Sequence, residues 1–201
     1  FSKEYEFKNL FLSGDILKKI NEIKSISLPG ENEEILNLLE SVLPVKIPFE
    51  AINIQFGSRW LPQNIINEFA KRYFEQEFNM VFNENLDNFF VNPKGNLSNK
   101  YSSFNYCCIN GRYVYPEQII QNAFYDTYPV VTYSVDIDGQ KVTYNDDEAT
   151  KYFKREISNF RKDFLTYLYN LNQEQKELIT KIYNDKFNSI VIPKYDTDIL
   201  D

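Results

Sequence analysis

Histidine is missing from this sequence of 201 residues. Its absence excludes Ser-His-Asp and Cys-His catalysis, histidine metal sites and histidine pH switches. Only two cysteines are present, Cys107 and Cys108, and they are adjacent. A disulfide between neighbours in a strand would be strained, because their side chains point to opposite faces. We therefore expect two reduced, partly buried thiols in a cytoplasmic protein.

Long apolar runs are missing as well. No stretch is apolar enough over a sufficient length to cross a membrane, and we recognise no secretory signal peptide, so we expect no membrane partner. The sequence starts at Phe1 rather than at Met and stops shortly after Leu200. We therefore expect it to be an excised piece of a longer polypeptide, or a polypeptide stripped of its ends.

Phosphate-binding glycine motifs are also absent. The sequence contains neither Gly-x-x-x-x-Gly-Lys nor Gly-x-Gly-x-x-Gly, and it lacks the Asn-Pro-Pro-Tyr with which DNA amino-methylases hold a flipped base. We therefore expect no cofactor. We expect no metal either: Asp136 and Asp138 resemble part of a calcium loop, but its other ligand positions are missing, and Asp138-Gly139 is better explained as a hairpin turn.

Aromatic residues, by contrast, are abundant, with 17 Phe and 15 Tyr. The apolar and charged fractions are ordinary for a globular protein, so the chain can bury a core. The net charge of −7 argues mildly against a surface that binds nucleic acid throughout, although it allows a local basic face.

A predicted strand, a sharp break and a helix follow one another near residue 60. Apolar and polar residues alternate over 52–56, which predicts a strand with one buried face. Gly57 breaks this pattern, and helical spacing of apolar residues then predicts a helix from Pro62 to residue 73. Arg59 and Trp60, the only tryptophan, lie between the two elements.

The remaining elements follow from the same periodicities. Helices are predicted over 15–24, 32–42, 116–125, 146–169 and 172–187. Strands are predicted within 77–91 around a turn at 83–85, and at 106–109, 130–137, 141–144 and 190–192. Residues 92–103 are predicted to form a loop. Two buried stripes are predicted, one of Ile35, Leu38, Leu39 and Val42 and the other of Leu178, Ile179, Ile182 and Tyr183.

These elements predict an α+β fold, with a small mixed or antiparallel sheet, helices packed against it and a C-terminal helical pair. We predict one domain over 1–201. Its parts would be a helical lead-in (1–45), an α+β core (46–145), the helical pair (146–190) and a linker (191–201).

Acidic clusters occur at Asp146-Asp147-Glu148 and at Asp196 with Asp198. The first cluster lies where a helix is predicted to begin, and carboxylates are favoured there by the helix dipole. Capping therefore explains it better than catalysis does. A hydrolase that used carboxylates and a metal would require several acids to converge in one cleft.

Basic residues cluster on two of the predicted helices, at Lys71, Arg72, Lys151, Lys154, Arg155, Arg161 and Lys162. Such clusters are more often solvated faces, paired here with Glu75, Glu77, Glu156 and Asp163. Alternatively, together with Arg59 and Trp60 they form a strip that follows a phosphate backbone. Trp60 is either a core anchor that fixes the break or a stacking platform.

Several segments, in order along the chain, resemble one family. They are 12–20 (LSGDILKKI), 47–50 (IPFE), 52–62 (INIQFGSRWLP), 113–128, the charged helix 146–169, 183–188 (YNDKFN) and 193–196 (PKYD). The family consists of very large proteins of phages, plasmids and conjugative elements that join a DNA adenine methylase to a Swi/Snf-type helicase, and phage antirestriction proteins are among its relatives.

The resemblance places this chain after the methylase and just before the helicase, with residues 191–201 leading toward the helicase. The motifs of both enzymes are missing here, so the resemblance implies no enzymatic activity for this chain alone. It implies a non-catalytic intervening domain that positions DNA or couples helicase and methylase, with DNA and those two domains of the same polypeptide as partners. The residues predicted to contact DNA are Arg59, Trp60, Lys71 and Arg72. The alternative is a protein–protein interaction module that docks the helicase or a host factor through an exposed aromatic surface.

Overall fold

The computed structural model describes residues 8–26, 28, 30–83, 85–103, 106–107 and 113–193, and for 106–107 it describes the backbone. Its eight helices within this range are α1 (Lys8–Phe11), α2 (Ile16–Ile26), α3 (Glu33–Ser41), α4 (Gln63–Phe74), α5 (Asn99–Ser103), α6 (Pro116–Tyr125), α7 (Asp147–Tyr169) and α8 (Gln173–Phe187). A short 3-10 turn spans Phe49–Ala51.

The strands of the described residues form four antiparallel pairs. They are β1 (Gly14–Asp15) with β8 (Ile190–Val191), β2 (Phe78–Asn83) with β3 (Asn88–Pro93), β4 (Tyr106–Cys107) with β5 (Tyr113–Val114), and β6 (Thr132–Ile137) with β7 (Gln140–Asn145). The predicted α+β class is confirmed, with small antiparallel sheets and with two consecutive helices, α7 and α8, toward the C-terminal end of the sequence. None of the helices in the described part of the chain is long and apolar enough to span a membrane.

The chain divides into two compact units. The terminal unit combines the chain up to Ile52 with the chain from Gln173 onward, and the central unit spans Asn53–Asn172. Compactness does not distinguish one folding domain from two. The predicted single domain and its internal boundaries therefore stay predictions.

The terminal unit is built around α2 and the β1–β8 pair. Ile16, Ile20 and Leu39 form its buried cluster, against which Val191 of β8 packs. The side chain of Asn184 in α8 makes two hydrogen bonds to the backbone of Ile47. Its Oδ1 accepts from the Ile47 N–H (2.8 Å), and its Nδ2 donates to the Ile47 carbonyl (2.9 Å). These two bonds satisfy the backbone N–H and carbonyl of Ile47, which belongs to no strand among the described residues.

The central unit has an aromatic core between α4 and α7. Phe160 of α7 is fully buried, and its ring centroid lies 4.8 Å from that of Phe56 and 4.9 Å from that of Phe69. Phe164, one helical turn further on, lies 5.2 Å from both of those rings. Three of these four contacts are edge-to-face, an arrangement that is favourable beyond the area it buries. They fix α7 against α4.

The predicted strand at 52–56 is wrong, although its alternation is real. Ile52, Ile54 and Phe56 are buried while Asn53 and Gln55 are exposed, yet within the described residues this segment pairs with no strand. The alternation of apolar and polar residues indicates which side chains point inward. It does not show that a neighbouring strand is available for backbone hydrogen bonds. The segment instead runs into a turn, in which the Ser58 N–H donates to the Gln55 carbonyl (3.0 Å).

Three smaller expectations are also wrong. Residues 92–103 are not all loop, because β3 continues to Pro93 and α5 begins at Asn99. Ile35 and Leu38 are exposed, since α3 packs through Leu36 and Leu39 instead. Leu178 of α8 is exposed as well, whereas the neighbouring Ile179 is fully buried.

Most helix boundaries agree with their predictions. The helices predicted over 116–125, 146–169 and 172–187 are α6, α7 and α8 to within one residue, and the Asp138-Gly139 turn joins β6 to β7. Asp146 caps α7, because its carboxylate accepts from the Ala149 N–H at 2.9 Å. The predictions for Cys108, for strand residues 108–109, and for Asp196 and Asp198 lie outside the described residues.

Gly57 is required by a close backbone approach. A Cβ built on it would lie 2.0 Å from the Phe124 carbonyl oxygen, and that oxygen belongs to the backbone of α6. We expect Gly57→Ala to lower the free energy of unfolding by about 1–3 kcal/mol, because the backbone must shift to relieve the overlap. Urea unfolding measures the change.

Asn53→Ala is the control, because it leaves the same alanine side chain at an exposed position of the same segment. We expect it to change the free energy of unfolding by less than about 0.5 kcal/mol. Equal stability of the two variants would contradict the proposed role of Gly57.

Candidate nucleic-acid interface

Arg59, predicted to contact DNA, lies in the turn before α4 and contacts the β2–β3 hairpin. Its guanidinium lies 4.2 Å from the centre of the Phe82 ring and donates to the Asp87 carboxylate at 2.8 Å. Both side chains of this ion pair are more than half exposed. Trp60, next in the chain, is half-buried. Arg59 is thus accessible, but a carboxylate already offsets its charge.

Lys71 and Arg72, the other two cations of the predicted site, lie on α4. Lys71 Nζ pairs with Glu77 at 2.6 Å, which confirms one of the predicted acidic partners. Arg72 pairs with Glu68 one turn earlier and lies 5.5 Å from the centre of the Tyr167 ring. Paired cations on a surface add little net positive potential. The predicted strip is therefore close to neutral where it crosses α4.

Helix α7 presents a different picture. Lys151, Arg155 and Lys162 are exposed and fall at helical spacings of four and seven residues, so they share one face. Lys154 flanks this face, and its Nζ lies 5.6 Å from the centre of the Tyr128 ring. We call these four residues the α7 cationic face.

The charges on the α7 cationic face are compensated only in part. Arg155 Nε lies 3.1 Å from the carboxylate of Glu156. Within the described residues, neither Lys151 nor Lys162 forms an ion pair or a side-chain hydrogen bond. The face spans about 16 Å along the helix axis, over which one strand of B-form DNA carries about five phosphates. Its length and charge therefore suit a phosphate backbone.

Arg161 does not belong to this face, although the sequence groups it with these cations. Its Nε donates to the Ala123 carbonyl at 3.2 Å, and its Nη1 donates to the Asp126 carboxylate and to the Tyr128 hydroxyl. Burial disfavours its charge, but the hydrogen bonds to Asp126 and Tyr128 outweigh burial and raise its pKa. Arg161 thus ties α7 to the end of α6 and holds Tyr128 beside Lys154.

Acidic side chains in the described residues do not converge as metal ligands. Of the cluster at 146–148, Asp146 caps α7, and the other two acids lie in the first turn of that helix.

A comparison with protein families gives a match over the central part of the sequence. A family described as "Domain of unknown function (DUF8437)" matches residues 55–189, which is more than half of the chain. The chain belongs to the DUF8437 family. The family match covers the aromatic core, α7 and α8 together, and it ends at Ser189, before β8. No curated protein matches the chain, and no solved structure does.

Sequence reasoning missed the role of Tyr128 in this member of the DUF8437 family. Lys154 lies over its ring and Arg161 donates to its hydroxyl. Tyr128 precedes Pro129 in a segment without regular structure. The adjacent Tyr-Pro pair was the one available signal, and it does not indicate which cations lie nearby.

We expect Arg161→Lys to lower the free energy of unfolding by about 1–2 kcal/mol, because lysine keeps the charge but cannot replace the forked set of hydrogen bonds. Lys162→Ala, which removes the next cation along the chain, should change it by less than about 0.5 kcal/mol. Chemical denaturation of both variants checks this difference. Equal effects would show that the Arg161 hydrogen bonds do not hold α7 to α6.

Proposed function

We propose that this chain is a non-catalytic domain that positions DNA within a methylase–helicase polypeptide of a mobile element, and that it contacts the phosphate backbone through the α7 cationic face. The observation that carries the proposal is the separation of charge. The chain has a net charge of −7, yet four exposed cations lie along one side of α7, and three of them, Lys151, Lys154 and Lys162, have no ion-pair partner among the described residues.

The predicted contacts Arg59, Trp60, Lys71 and Arg72 remain part of the proposal, but with a smaller expected share. A phosphate that binds Arg59, Lys71 or Arg72 must compete with the carboxylate that each of them already contacts. Surface ion pairs are worth about 0.2–1 kcal/mol, so this competition weakens a contact without preventing it. We therefore expect α7 to dominate binding.

The test compares two triple variants. Lys151→Ala/Lys154→Ala/Lys162→Ala should weaken binding to both duplex and single-stranded DNA. It should also lower the slope of log K against log salt by about 2, because each lost phosphate contact removes about 0.7–0.9 from that slope. Fluorescence anisotropy with labelled oligonucleotides between about 50 and 200 mM salt measures both quantities.

Arg59→Ala/Lys71→Ala/Arg72→Ala is the matched control, with the same loss of three cations. We expect it to lower the slope by less than about 1. Absence of DNA binding by the unaltered protein at low salt would overturn the proposed function. Equal effects of the two triple variants would overturn the assignment to α7.

A second candidate function is docking of the neighbouring helicase domain, and the β6–β7 hairpin favours it. Cross-strand partners share a face of the ladder, so Tyr133 with Tyr144 and Val135 with Val142 lie on the same side. The two tyrosine rings stack at 5.7 Å. Tyr144, Val135 and the neighbouring Ile137 are exposed, and within the described residues neither strand has a further partner. Exposed apolar faces of this kind are typical of interaction sites.

Two charge insertions on opposite faces of the hairpin test the docking function. Val135→Lys/Ile137→Lys should weaken binding to the purified helicase segment of the parent polypeptide by at least about tenfold, because it places charge in the apolar face. Thr143→Lys/Asn145→Lys adds the same two charges at exposed positions of the other face and should leave binding unchanged. Calorimetric titration measures both. No binding by the unaltered protein, or equal loss in both variants, would rule out this docking surface.

A further inference from the structure

A groove beside the first turns of α7 carries no charged side chain. It encloses about 530 Å³, and its lining includes Tyr113, Tyr115, Gln118, Gln121, Pro129 and Phe153. Cavities of about 300–1,000 Å³ suit small ligands or parts of larger ones. We call this cavity the α6 groove, since α6 supplies its polar wall.

Two side-chain amides in the α6 groove have unused hydrogen-bonding atoms. Gln118 Oε1 accepts from the Tyr115 N–H at 2.9 Å, and Gln121 Nε2 donates to the Phe89 carbonyl at 3.1 Å. Within the described residues, Gln118 Nε2 makes no hydrogen bond, and neither does Gln121 Oε1. Residues three apart are neighbours on a helix surface. The groove is therefore lined by one side chain with an unbonded donor and one with an unbonded acceptor, on neighbouring positions of α6.

The third amide shows that this arrangement is not general. Asn122 Nδ2 donates to the Gln118 carbonyl, and Asn122 Oδ1 accepts from the Thr127 hydroxyl, both at 2.7 Å. Asn122 is thus fixed by the protein itself. Gln118 and Gln121 differ from Asn122, because each of them has a side-chain amide atom without a hydrogen bond among the described residues.

Aromatic rings form the other part of the groove. The rings of Tyr113 and Tyr115 lie 6.1 Å apart, tilted by 39°, and both side chains are partly exposed. Flat π faces beside a donor and an acceptor suit a nucleobase, because a base presents a ring for stacking and a hydrogen-bonding edge.

The α6 groove also lies next to the α7 cationic face. Phe153 in the groove wall precedes Lys154, and Pro129 follows Tyr128, whose ring Lys154 covers. The segment 128–131 is fixed beside α7, since the Val131 N–H donates to the Thr150 hydroxyl of that helix at 2.9 Å. A nucleotide whose base entered the groove would thus have its phosphate close to a cation.

We propose that the α6 groove binds one unpaired nucleobase of a DNA strand whose phosphates lie on the α7 cationic face. The base stacks on Tyr115, accepts from Gln118 Nε2 and donates to Gln121 Oε1. This inference rests on the proposed function and makes it specific, because a base inside a duplex stack cannot enter the groove. The chain would therefore prefer single-stranded over duplex DNA.

The test compares a single-stranded 12-mer with an abasic 12-mer of the same length, which keeps the phosphates and lacks the bases. We expect the unaltered protein to bind the ordinary strand about tenfold more tightly than the abasic one, as one stacked base allows. Tyr115→Leu and Gln118→Glu should both bring this ratio close to one. Gln118→Glu keeps the oxygen that accepts from the Tyr115 N–H, so α6 should stay folded, as circular dichroism will verify.

The abasic strand and a third variant separate charge from base recognition. Gln140→Glu adds the same charge at an exposed position of β7, and it should keep the tenfold ratio. If the unaltered protein binds neither strand, the proposed function fails. If it binds both strands equally, DNA binding stands and the groove assignment is overturned.

A tyrosine- and proline-lined groove also suits a proline-rich peptide. Saturable shifts of the Tyr115 and Gln118 NMR signals with a decaproline peptide, together with equal binding of the two strands, would assign the groove to a protein partner instead. Shifts of the same signals with the ordinary strand and not with the abasic strand would support the nucleobase.

Discussion

The contact of Phe160 and Phe164 with Phe56 and Phe69 is the interaction on which the central unit depends. These four rings hold α7 against α4 and against the extended segment that precedes it. Because the inner face of α7 is fixed in this way, its outer face is fixed as well. The orientation of Lys151 and Lys162 toward solvent is therefore a consequence of aromatic packing.

The local positive charge on the surface of this protein depends on which cations are paired with carboxylates more than on the overall composition. Arg59, Lys71 and Arg72 each contact a carboxylate, and Arg161 is used to join α7 to α6. Lys151, Lys154 and Lys162, which lie along one side of α7, have no ion-pair partner among the described residues. Net charge is a sum over the whole chain and does not describe how charge is separated on the surface. A phosphate backbone interacts with the local electrostatic potential, which depends on that separation.

The spacing of apolar residues and the turn residues predicted the helices well and the paired strands only in part. The apolar spacing of α6, α7 and α8 and the Asp138-Gly139 turn were sufficient, because those signals lie within a few residues of one another. The strand at 52–56 failed because a ladder needs a partner, and no local pattern provides one. For the site, the sequence identified the α7 cations but ranked Arg59, Lys71 and Arg72 ahead of them. It could not show that Asp87 lies beside Arg59, 28 residues away in the chain.

By itself, the sequence determined the α+β class, the amphipathic helices and the supply of basic and aromatic side chains. These properties depend on residue type and short-range spacing, which are present before the chain folds. Tertiary structure alone decided which cations are paired, which amides keep a free donor or acceptor, and that α6 and residues 129–131 enclose a groove beside Lys154. Pairing and enclosure arise when residues distant in the chain come together, and the energy of those contacts belongs to the packed fold.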